Sequence, residues 1–468
     1  MSANLNLLKK VFALFTLFVL ISCRTQKNLN QFVSHGKVEY NLAKEDELML
    51  DSIQRKTFLY FMNEVDAEKG FVKDRAASWA PSSIAATGFG LPTYAIAAER
   101  KWITREDAVL QVLKILRFFA NSEQGTDSLS TGYKGFYYHF LNLKTGKREW
   151  NCELSTIDTG LLMMGIIFIR NYFDGTDADE KEIRLLAAKL LGRLDWNFFY
   201  LPDNAKHPHT ISMAWKPETG ILNWGWHGYD EALFLYILAA GTGMDNVEKS
   251  YNAWQSTFKW RTPYEGLSHV TFPPLFGHQF SACFIDFRGL FDPYMKGKGI
   301  DYFENSRRAT LVQQQYAIEN PKGWVGYDSL TWGVTASDGP GSKYNFGDKK
   351  FEGYAGRGTS GKEETVAEDG TLAPYGPLSS LPFTPELSLA TIKNMNRKYG
   401  DKIWGKYGYY DSFNPTAKWV DDDFIGIDQG PMCLMIENFR TGMVWKYVMK
   451  DPVIQKGLEK LKFEYNKK

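Results

Sequence analysis

The sequence predicts an all-α protein built as an (α/α)6 barrel, in which an inner ring of helices is enclosed by an outer ring. Helical periodicity dominates the 468-residue chain, and the alternation typical of β-strands is scarce. The helical segments are of two kinds that alternate along the chain. Amphipathic helices cover a surface, whereas helices that are apolar on all sides are buried. We therefore expect a single large domain, residues 42–468, with about six pairs of outer and inner helices.

The outer helices are predicted from charged, amphipathic segments, and the inner helices from apolar segments rich in small residues. The amphipathic segments are residues 45–65, 104–121, 177–199 and 302–320. The apolar segments are residues 82–98, 155–173, 229–241, 277–291, 385–395 and 424–439. An open helical solenoid is the alternative, but its repeats should be closer in length than these. The longest connection, residues 323–382, is rich in Gly, Tyr and Asp, and a loop of that length in a compact domain is usually functional.

The composition is that of a globular protein for which nucleic acid is not the main partner. Hydrophobic residues make up 44% of the chain and charged residues 23%, and the formal net charge is +1 with no basic tract. Aromatic residues reach 15% and favour either a large aromatic core or flat platforms for the apolar faces of sugars. Cys152, Cys283 and Cys433 lie far apart beside apolar residues, so we expect buried thiols rather than disulfides or a zinc site.

The N-terminus has the pattern of a lipoprotein signal peptide, residues 1–22. Lys9 and Lys10 precede an apolar run too short to span a bilayer, and the run ends in "LISC", which is similar to a bacterial lipobox. We expect cleavage before Cys23, lipid on its sulfur, and a tether, residues 23–41, that holds the domain at a membrane. The predicted location is that of an outer-membrane lipoprotein facing the periplasm or the cell surface. A plain secretory signal is the alternative.

Two carboxylates stand at the start of one apolar inner helix, in "CELSTIDTGLL". Ser155 and Asp158 have the spacing of a helix-capping box, which gives Asp158 a structural role. Glu153 precedes the cap and has no such role. The inner helices of a barrel run in the same direction, so their N-termini and the loops that enter them gather at one end. We expect Glu153 to project into the mouth of the barrel there.

A second inner helix repeats this arrangement in "ILNWGWHGYDEALFLYIL". Aromatic residues and a histidine come just before Asp230 and Glu231, and one of these two acids can be explained by the helix dipole alone. A third run, Asp421–Asp423, shows no calcium-loop spacing and is interpreted as a solvated turn. The residues expected to contact a ligand are Trp224, Trp226, His227, Asp230, Tyr138, His139, His278 and Phe280. For the histidines a purely structural role is an equally common interpretation.

Opposed carboxylates are the minimum equipment for breaking a glycosidic bond, because one protonates the leaving oxygen while the other activates water or attacks the sugar carbon. We predict that Glu231 and Glu153 form this pair in an inverting reaction, with Asp158 as a third candidate catalytic residue. No G-x-S-x-G or H-E-x-x-H motif is present, and the glycine-rich "GYAGRGTSG" matches no phosphate or dinucleotide site. We expect neither a metal nor a cofactor.

Six separated motifs follow one another between about Leu48 and the C-terminus. They are "GFYYHFLNLKTGKREWNCELSTIDT", "LNWGWHGYDEALFLYILA", "FPPLFGHQFSACFIDFRGL", "WGVTASDGP", "EDGTLAPYGPLSSLPFTPE" and "FIGIDQGPMCLMIENFRTGMVW". In these motifs the chain resembles the bacterial glucoamylase-like lipoproteins, which are grouped with the β-1,2-glucanases of glycoside hydrolase family 144. The resemblance implies an (α/α)6 barrel that acts on β-1,2-glucan or its oligosaccharides, either within the chain or by releasing sophorose from its end. It also implicates acidic residues on the pocket floor, and Glu153 and Glu231 fall in the matching motifs.

Two other functions stay open on the sequence alone. A polysaccharide lyase or epimerase on a similar barrel would use Tyr, His or Arg as acid and base, and Tyr138 with His139 could supply them. A lipoprotein that binds glycan without cleaving it would also be aromatic and anchored, but it would have no use for paired acids. In each case the expected partner is an oligo- or polysaccharide.

Overall fold

The helices of the protein form two concentric rings. The computed structural model describes residues 31–344 and 346–466, so the predicted signal peptide, residues 1–22, and Cys23 lie outside the described residues. The helices within them are α1 (Lys44–Asn63), α2 (Ile84–Glu99), α3 (Arg105–Asn121), α4 (Thr156–Tyr172), α5 (Ala178–Gly192), α6 (Leu233–Thr242), α7 (Val247–Gln255), α8 (Phe280–Phe284), α9 (Pro293–Lys298), α10 (Tyr302–Glu319), α11 (Tyr375–Ser379), α12 (Pro385–Ile403), α13 (Gly426–Thr441), α14 (Met443–Met449) and α15 (Pro452–Lys460).

Inner and outer helices alternate along the chain, as the sequence predicts. In the inner ring α2 contacts α4, α4 contacts α6, α6 contacts α8, α8 and α11 contact α13, and α13 returns to α2. The outer ring consists of α1, α3, α5, α7, α10 and α12, while α14 and α15 cover α4, α6 and α8 from outside. The predicted (α/α)6 barrel is therefore confirmed, and the described residues form a single domain.

The inner helices are buried because their sequences carry few polar side chains. Every residue of α6 from Leu233 to Gly241 is buried, and so is every residue of α4 from Thr156 to Ile169. Each of the first two inner helices begins at a serine that supplies a cap. The Ser83 hydroxyl accepts a hydrogen bond from the backbone N–H of Ala86, and the predicted Ser155 cap is confirmed in the same way at the start of α4.

The helices α2 and α4 approach each other closely where glycine faces glycine. A Cβ atom on Gly165 would lie 2.1 Å from the carbonyl oxygen of Gly88, and one on Gly88 would lie 2.5 Å from that of Leu161. Such distances leave no room for a side chain on either backbone. The two glycines therefore set the spacing of the inner ring at this point.

Short strands lie in the loops rather than in the rings. They are β1 (Ser82–Ser83), β2 (Gly132–Tyr133), β3 (Phe136–Tyr138), β4 (Phe140–Leu141), β5 (Leu154–Ser155), β6 (Ala214–Lys216), β7 (Gly220–Ile221), β8 (Trp260–Arg261), β9 (His269–Val270), β10 (Leu290–Phe291), β11 (Gly358–Thr359), β12 (Thr365–Val366), β13 (Trp404–Gly405), β14 (Gly408–Tyr409), β15 (Phe413–Asn414), β16 (Trp419–Val420) and β17 (Glu464–Tyr465). Five of them form an antiparallel sheet in the order β2-β3-β5-β6-β7, and the others form two-stranded pairs. Because β1 leads directly into α2 and β5 into α4, the strands set the direction in which the chain enters these inner helices.

One predicted inner helix is wrong. Residues 385–395 belong to α12, which packs on α11 and exposes Glu386 and Lys393 on its other face, so α12 is an outer helix. The fifth inner helix is α11, which is only five residues long and lies inside the predicted loop 323–382. The outer helix α7, nine residues long, is additional to the predicted segments.

The described part of the predicted tether packs along the domain. Phe32 is 1% exposed, and its backbone N–H and carbonyl group both bond to the side chain of Gln455. The hydroxyl of Ser34 donates to Asp286 at 2.9 Å. The packed domain thus begins before the predicted boundary at residue 42. Among the described helices, none combines the length and the hydropathy that crossing a bilayer requires.

The long loop, residues 323–382, is folded around a buried guanidinium group. Arg357 is fully buried and forms a bidentate pair with Asp369, with both N···O distances at 2.9 Å. It also donates to the carbonyl groups of Ser337, Glu352 and Gly353. Because these bonds join distant parts of the loop, they fix its course over the barrel.

We predict that Gly165→Ala destabilises the protein, because the added Cβ would overlap the backbone of α2 at Gly88. Overpacking of this kind costs about 1–3 kcal/mol. The measurement is the free energy of unfolding from urea denaturation of the purified domain. Gly192→Ala at the end of α5 is the matched control, since a Cβ there meets no atom within 4 Å. Equal midpoints for the two variants would contradict the proposed contact.

Candidate active site

A cavity of about 640 Å³ opens at the end of the barrel where the inner helices begin. It is bordered by the first turns of α4, α8, α11 and α13 and by the turn before α6. The expectation that the N-termini of inner helices gather at one mouth is therefore confirmed. The charged residues and the histidine that line it are Asp74, Arg75, His139, Glu153, Asp158, Lys216, Glu231 and Asp428. The aromatic lining residues are Trp79, Phe140, Trp150, Trp215, Trp226, Phe276, Phe280, Tyr354 and Tyr375.

Glu231 lies in the turn before α6 and lines the cavity. Its carboxyl group has no hydrogen bond or ion pair with any residue that the structure describes. Burial raises the pKa of Glu231 well above its usual range, the negative charges of Asp158 and Asp230 raise it further, and the charge of His139 opposes them only in part. Glu231 is therefore protonated near neutral pH and has a proton to donate.

His139, Glu153 and Asp158 form a charged group beside Glu231. Nδ1 of His139 lies 2.9 Å from Oε1 of Glu153, and Nε2 lies 3.6 Å from Oδ1 of Asp158. Burial alone would lower the pKa of His139, but the two carboxylates outweigh it and raise the pKa to about 9. Burial also opposes ionisation of Glu153, but the hydrogen bond and charge of His139 lower its pKa to about 2. Glu153 is therefore ionised and paired with an imidazolium, which excludes it as the proton donor.

Asp158 lies in the first turn of α4 and also lines the cavity. Its backbone N–H donates to the Ser155 hydroxyl at 3.2 Å, and its carboxylate accepts a hydrogen bond from the same hydroxyl. Half of the predicted capping box is therefore present, since the Asp158 carboxylate bonds to the hydroxyl of Ser155 and not to its backbone N–H. Its negative charge also acts on chemistry, since it helps to keep the proton on Glu231.

A second group of carboxylates lies around the start of α13. Asp428 lines the cavity and is hydrogen-bonded to Asp411. Burial raises the pKa of both acids, and their mutual hydrogen bond lets the pair share one proton. The backbone N–H of Asp338 donates to Asp411 at 2.7 Å, and Arg75 donates to the Asp338 carboxylate at 2.7 Å. Asp428 is the member of the pair that lines the cavity, so a ligand there would exchange a proton with the pair through Asp428.

Glu231 and Asp428 belong to opposite walls of the cavity. In the order of the inner ring, α6 has α4 and α8 as neighbours, whereas α13 lies between α11 and α2. Glu153, in contrast, precedes α4, which is the immediate neighbour of α6. Glu231 and Asp428 therefore belong to opposite sides of the ring, while Glu153 precedes the helix next to that of Glu231.

The interpretation of Asp421–Asp423 as a solvated turn is wrong for its first and third members. Asp421 is 8% exposed, and its backbone N–H bonds to the carbonyl group of Ser412. Asp423 lies 3.7 Å from Arg75 and is half-buried. The turn packs against the wall of the cavity because Arg75 holds it there.

Within the part of the chain that the structure describes, two groups of side chains have the spacing of a cation site, although the sequence predicts no metal. One ligand atom of each residue lies within 4.8 Å of the others in the group His139, Glu153 and Asp158 and in the group Asp338, Asp411 and Asp421. In the first group His139 is itself the positive charge. In the second group Arg75 neutralises Asp338. A protein cation thus already balances part of the charge in both groups.

The cavity brings together the predicted residues Glu153, Asp158, Glu231, His139, Trp226 and Phe280. The indole N–H of Trp226 donates to the hydroxyl of Thr156 at 3.1 Å, which fixes the ring against the first turn of α4. Phe280 opens α8 and packs edge-on against Phe89 of α2. Both rings are held rigidly and present an apolar surface to a ligand.

Trp224 and His227 do not line the cavity. They form a separate cluster with His207, whose ring stacks on His227 with centroids 3.9 Å apart. The ammonium group of Lys206 lies 3.5 Å above the Trp224 ring and covers it. The structure therefore does not bring these two predicted ligand contacts to the cavity that holds Glu231.

Tyr138, His278 and Asp230 are also placed away from the cavity, inside the protein. The Tyr138 ring packs beneath Arg148, and burial raises its pKa to about 12. His278 donates to the carbonyl group of Phe272 and accepts from Asn305, and burial lowers its pKa to about 3. Burial raises the pKa of Asp230 to about 8, and its carboxylate accepts a hydrogen bond from the backbone N–H of Ala232. All three are buried, and the structure does not bring these predicted ligand contacts to the cavity either.

Five residues that line the cavity are not predicted from the sequence: Asp74, Arg75, Trp79, Trp150 and Asp428. For Asp428 a signal exists in the chain. The segments "IDTG", residues 157–160, and "IDQG", residues 427–430, share one pattern at the start of two inner helices. In both, the aspartate lines the cavity and the glycine allows close helix packing. No comparable pattern marks the other four residues, which lie in loops.

Comparisons with known proteins agree with this architecture. A family described as "Putative glucoamylase" matches residues 223–452. A solved structure from Bacteroides uniformis ATCC 8492, described in the same words, is 31% identical, superposes with a TM-score of 0.76, and is matched over 92% of this chain and 99% of that chain. An endo-β-1,2-glucanase from Chitinophaga pinensis, solved with sophorotriose and glucose, is 26% identical, with a TM-score of 0.77 over 91% of this chain and 99% of that chain.

A curated relative extends the same comparison. It is an exo β-1,2-glucooligosaccharide sophorohydrolase (non-reducing end) from Parabacteroides distasonis, 28% identical over 445 residues. The match covers 89% of this chain, which spans only 58% of the length of that relative. The motifs quoted above, the two rings of helices and the coverage of these matches agree, and the protein belongs to the glucoamylase-like family.

Proposed function

We propose that the protein is a glycoside hydrolase that cleaves β-1,2-glucan or its oligosaccharides. The observation that carries this proposal is the unpaired carboxyl group of Glu231, which lines the same cavity as Asp428 on the far side of the ring. Burial raises the pKa of both acids, which suits Glu231 to donate a proton. Aromatic rings on the walls suit the apolar faces of sugars, and the charged lining residues suit their hydroxyl groups.

The choice of linkage is supported by the relatives. The Parabacteroides sophorohydrolase and the Chitinophaga endo-glucanase are both named for β-1,2-linked glucans. The word glucoamylase would imply an α-1,4 linkage, and none of the residues of the cavity favours it. Release of sophorose from a chain end and cleavage within the chain are both compatible with the cavity.

In the proposed mechanism Glu231 donates its proton to the glycosidic oxygen as the bond to the anomeric carbon breaks. A carboxylate on the other side of the sugar removes a proton from the attacking water, which inverts the anomeric configuration. The sequence predicts Glu153 as this base. The geometry favours Asp428, because it stands across the ring from Glu231, while Glu153 is weakly basic and is paired with His139.

The alternative functions find less support. A lyase or epimerase that uses Tyr138 with His139 would need both at the substrate, but Tyr138 is buried outside the cavity. A protein that only binds glycan would have no need for a desolvated acid, which is costly to keep without a partner. We therefore retain hydrolysis as the proposal.

Removing either acid of the proposed catalytic pair, Glu231 or Asp428, should slow the reaction. On β-1,2-glucan, Glu231→Gln should lower kcat by about 10²–10⁴ with little change in KM, because glutamine keeps the shape but cannot donate the proton. Asp428→Asn should lower kcat to a similar degree, and Glu153→Gln less. Reducing sugar released from β-1,2-, β-1,3- and α-1,4-glucans gives both the linkage and the rates.

Glu386→Gln, which changes an exposed carboxylate on α12, is the control and should match wild type. Near wild-type turnover in Glu231→Gln would show that this residue is structural. Retention of configuration in the first product, measured by NMR, would reject the inverting scheme even if both cavity variants were inactive.

The pH dependence of kcat/KM separates the two candidate bases. The base must be ionised, so activity rises with pH through its pKa, and the acid must be protonated, so activity falls above the pKa of Glu231. If Asp428 is the base, the acidic limb lies above the usual carboxyl range, since burial raises its pKa. If Glu153 is the base, that limb lies near pH 2, the region of its lowered pKa. We expect the former, with the acidic limb unchanged in Glu153→Gln.

The proposed function includes a lipid anchor at Cys23, supported by the "LISC" ending of the apolar N-terminal run. The protein would then work at the outer membrane, facing the periplasm or the cell surface. Cys23→Ala should release the exported protein from the membrane fraction, as measured by cell fractionation and immunoblotting. Cys152→Ala, which removes a thiol elsewhere in the chain, should remain in that fraction. If Cys23→Ala remains there as well, the anchor proposal is wrong.

A further inference from the structure

Two tryptophans stand exposed at the edge of the cavity. Trp79 is 64% exposed and Trp150 is 50% exposed, and both line the same cavity as Glu231. Their ring centroids are 5.9 Å apart and the rings are tilted by 37°. Tryptophan is usually well buried, so an exposed pair in mutual contact marks a binding surface more often than a single exposed apolar residue does.

The two rings come from different loops that are tied together. Trp79 lies just before β1, and Trp150 lies between β4 and β5. Because β1 pairs with β4, Ser82 opposite Leu141 and Ser83 opposite Phe140, the loops keep a fixed separation. The guanidinium of Arg75 lies 5.6 Å from the Trp79 ring, and Phe140 packs 5.0 Å from the Trp150 ring. The rings are thus supported from the side of the protein and open to solvent on the other.

The backbone of the second loop is strained where it presents its tryptophan. Trp150 and Asn151 have φ values of 56° and 51°, in the left-handed region that a bulky residue such as tryptophan seldom adopts. Arg148 holds this turn by donating to the carbonyl groups of Asn151 and Cys152. Strain of this kind persists only when the surrounding structure enforces it, and it concentrates at ligand-binding positions.

A continuous row of rings connects these tryptophans to the acids. Trp150 packs on Phe140, and Phe140 stacks on His139 with centroids 3.9 Å apart. His139 in turn binds Glu153. A sugar chain held by the charged group at the floor of the cavity would therefore leave it along this row.

We propose that Trp79 and Trp150 form a platform, named here the Trp79–Trp150 platform, which binds glucosyl residues of the glucan chain outside the cavity. The proposal rests on the proposed function. A cavity of about 640 Å³ has the size of a site for one small ligand, so a longer chain must pass the mouth. The apolar C–H faces of glucosyl rings match the exposed indole faces, and the tilt between the indoles suits two successive sugar rings that are not coplanar. The platform contributes to binding of long chains and does not take part in the chemistry.

The test compares chain lengths in the full-length protein. Wild type, Trp79→Ala, Trp150→Ala and the double variant are assayed on long β-1,2-glucan and on the shortest oligosaccharide that wild type cleaves. For long glucan we expect KM to rise about tenfold in each single variant, which corresponds to about 1.4 kcal/mol, with kcat unchanged. On the shortest oligosaccharide the variants should match wild type. Trp150→Phe, which keeps an aromatic ring, should restore most of the affinity.

Trp260→Ala is the matched control, because Trp260 is a partly exposed tryptophan that does not line the cavity, and it should match wild type on both substrates. An unchanged KM for long glucan in the double variant overturns the platform and leaves the proposed function intact. Equal losses on long and short substrates also overturn it, because the rings would then be structural. A wild-type protein that cleaves no glucan of the panel overturns the proposed function, and the platform falls with it.

Discussion

The inner helices are buried on every face, and this constraint decides where the protein can keep its charges. A carboxylate in the middle of α4 or α6 would be desolvated without a partner, at a cost of several kcal/mol (about 2–7 for a polar group and more for a charge). Charged side chains of the inner ring are therefore displaced toward helix ends, where backbone N–H groups and the helix dipole favour them. The cavity with Glu153, Asp158, Glu231 and Asp428 follows from the same rule that builds the barrel.

The cavity is lined by more acidic than basic side chains, so its acids are not all ionised together. Of these acids, His139 contacts Glu153 and Asp158. Arg75 is paired with the neighbouring carboxylates of Asp74, Asp338 and Asp423. Glu153 takes the charge of His139 and is ionised, while Glu231 has no partner and keeps its proton. The division between a proton donor and proton acceptors therefore arises from the placement of two cations, without any need for a difference in residue type.

Periodicity in the sequence is enough to predict the two rings and the cap at Ser155, because both depend on local spacing. It also identifies Glu231 and Glu153, which directly precede apolar helices, whereas His139 is indicated by its place in the aromatic segment "GFYYHF". Periodicity fails at Trp224. Trp226 packs on α4, whereas Trp224, two residues earlier, packs on His207. These contacts are with residues elsewhere in the chain, so the local spacing of the two tryptophans does not predict them. Periodicity also assigns residues 385–395 to the wrong ring. The segment has a moderately apolar face, and this pattern does not show whether the helix lies inside or outside α11. Trp79 and Trp150 come together only through the pairing of β1 with β4, a contact between residues about 60 positions apart in the chain.

The ends of the inner helices carry the acids of the site, whereas the loops form its mouth. Glu231, Asp158 and Asp428 are attached to the inner ring, whose spacing is fixed by contacts such as Gly88 against Gly165, so the acids cannot shift without opening the barrel. The mouth of the cavity is made by loops, one of them held by the Arg357–Asp369 pair. The relatives include an exo-acting sophorohydrolase and an endo-acting glucanase, and the endo-glucanase superposes on this chain with a TM-score of 0.77. Because the acids are attached to the ring and the mouth is formed by loops, a change in these loops can alter how a chain enters without moving the acids beneath it.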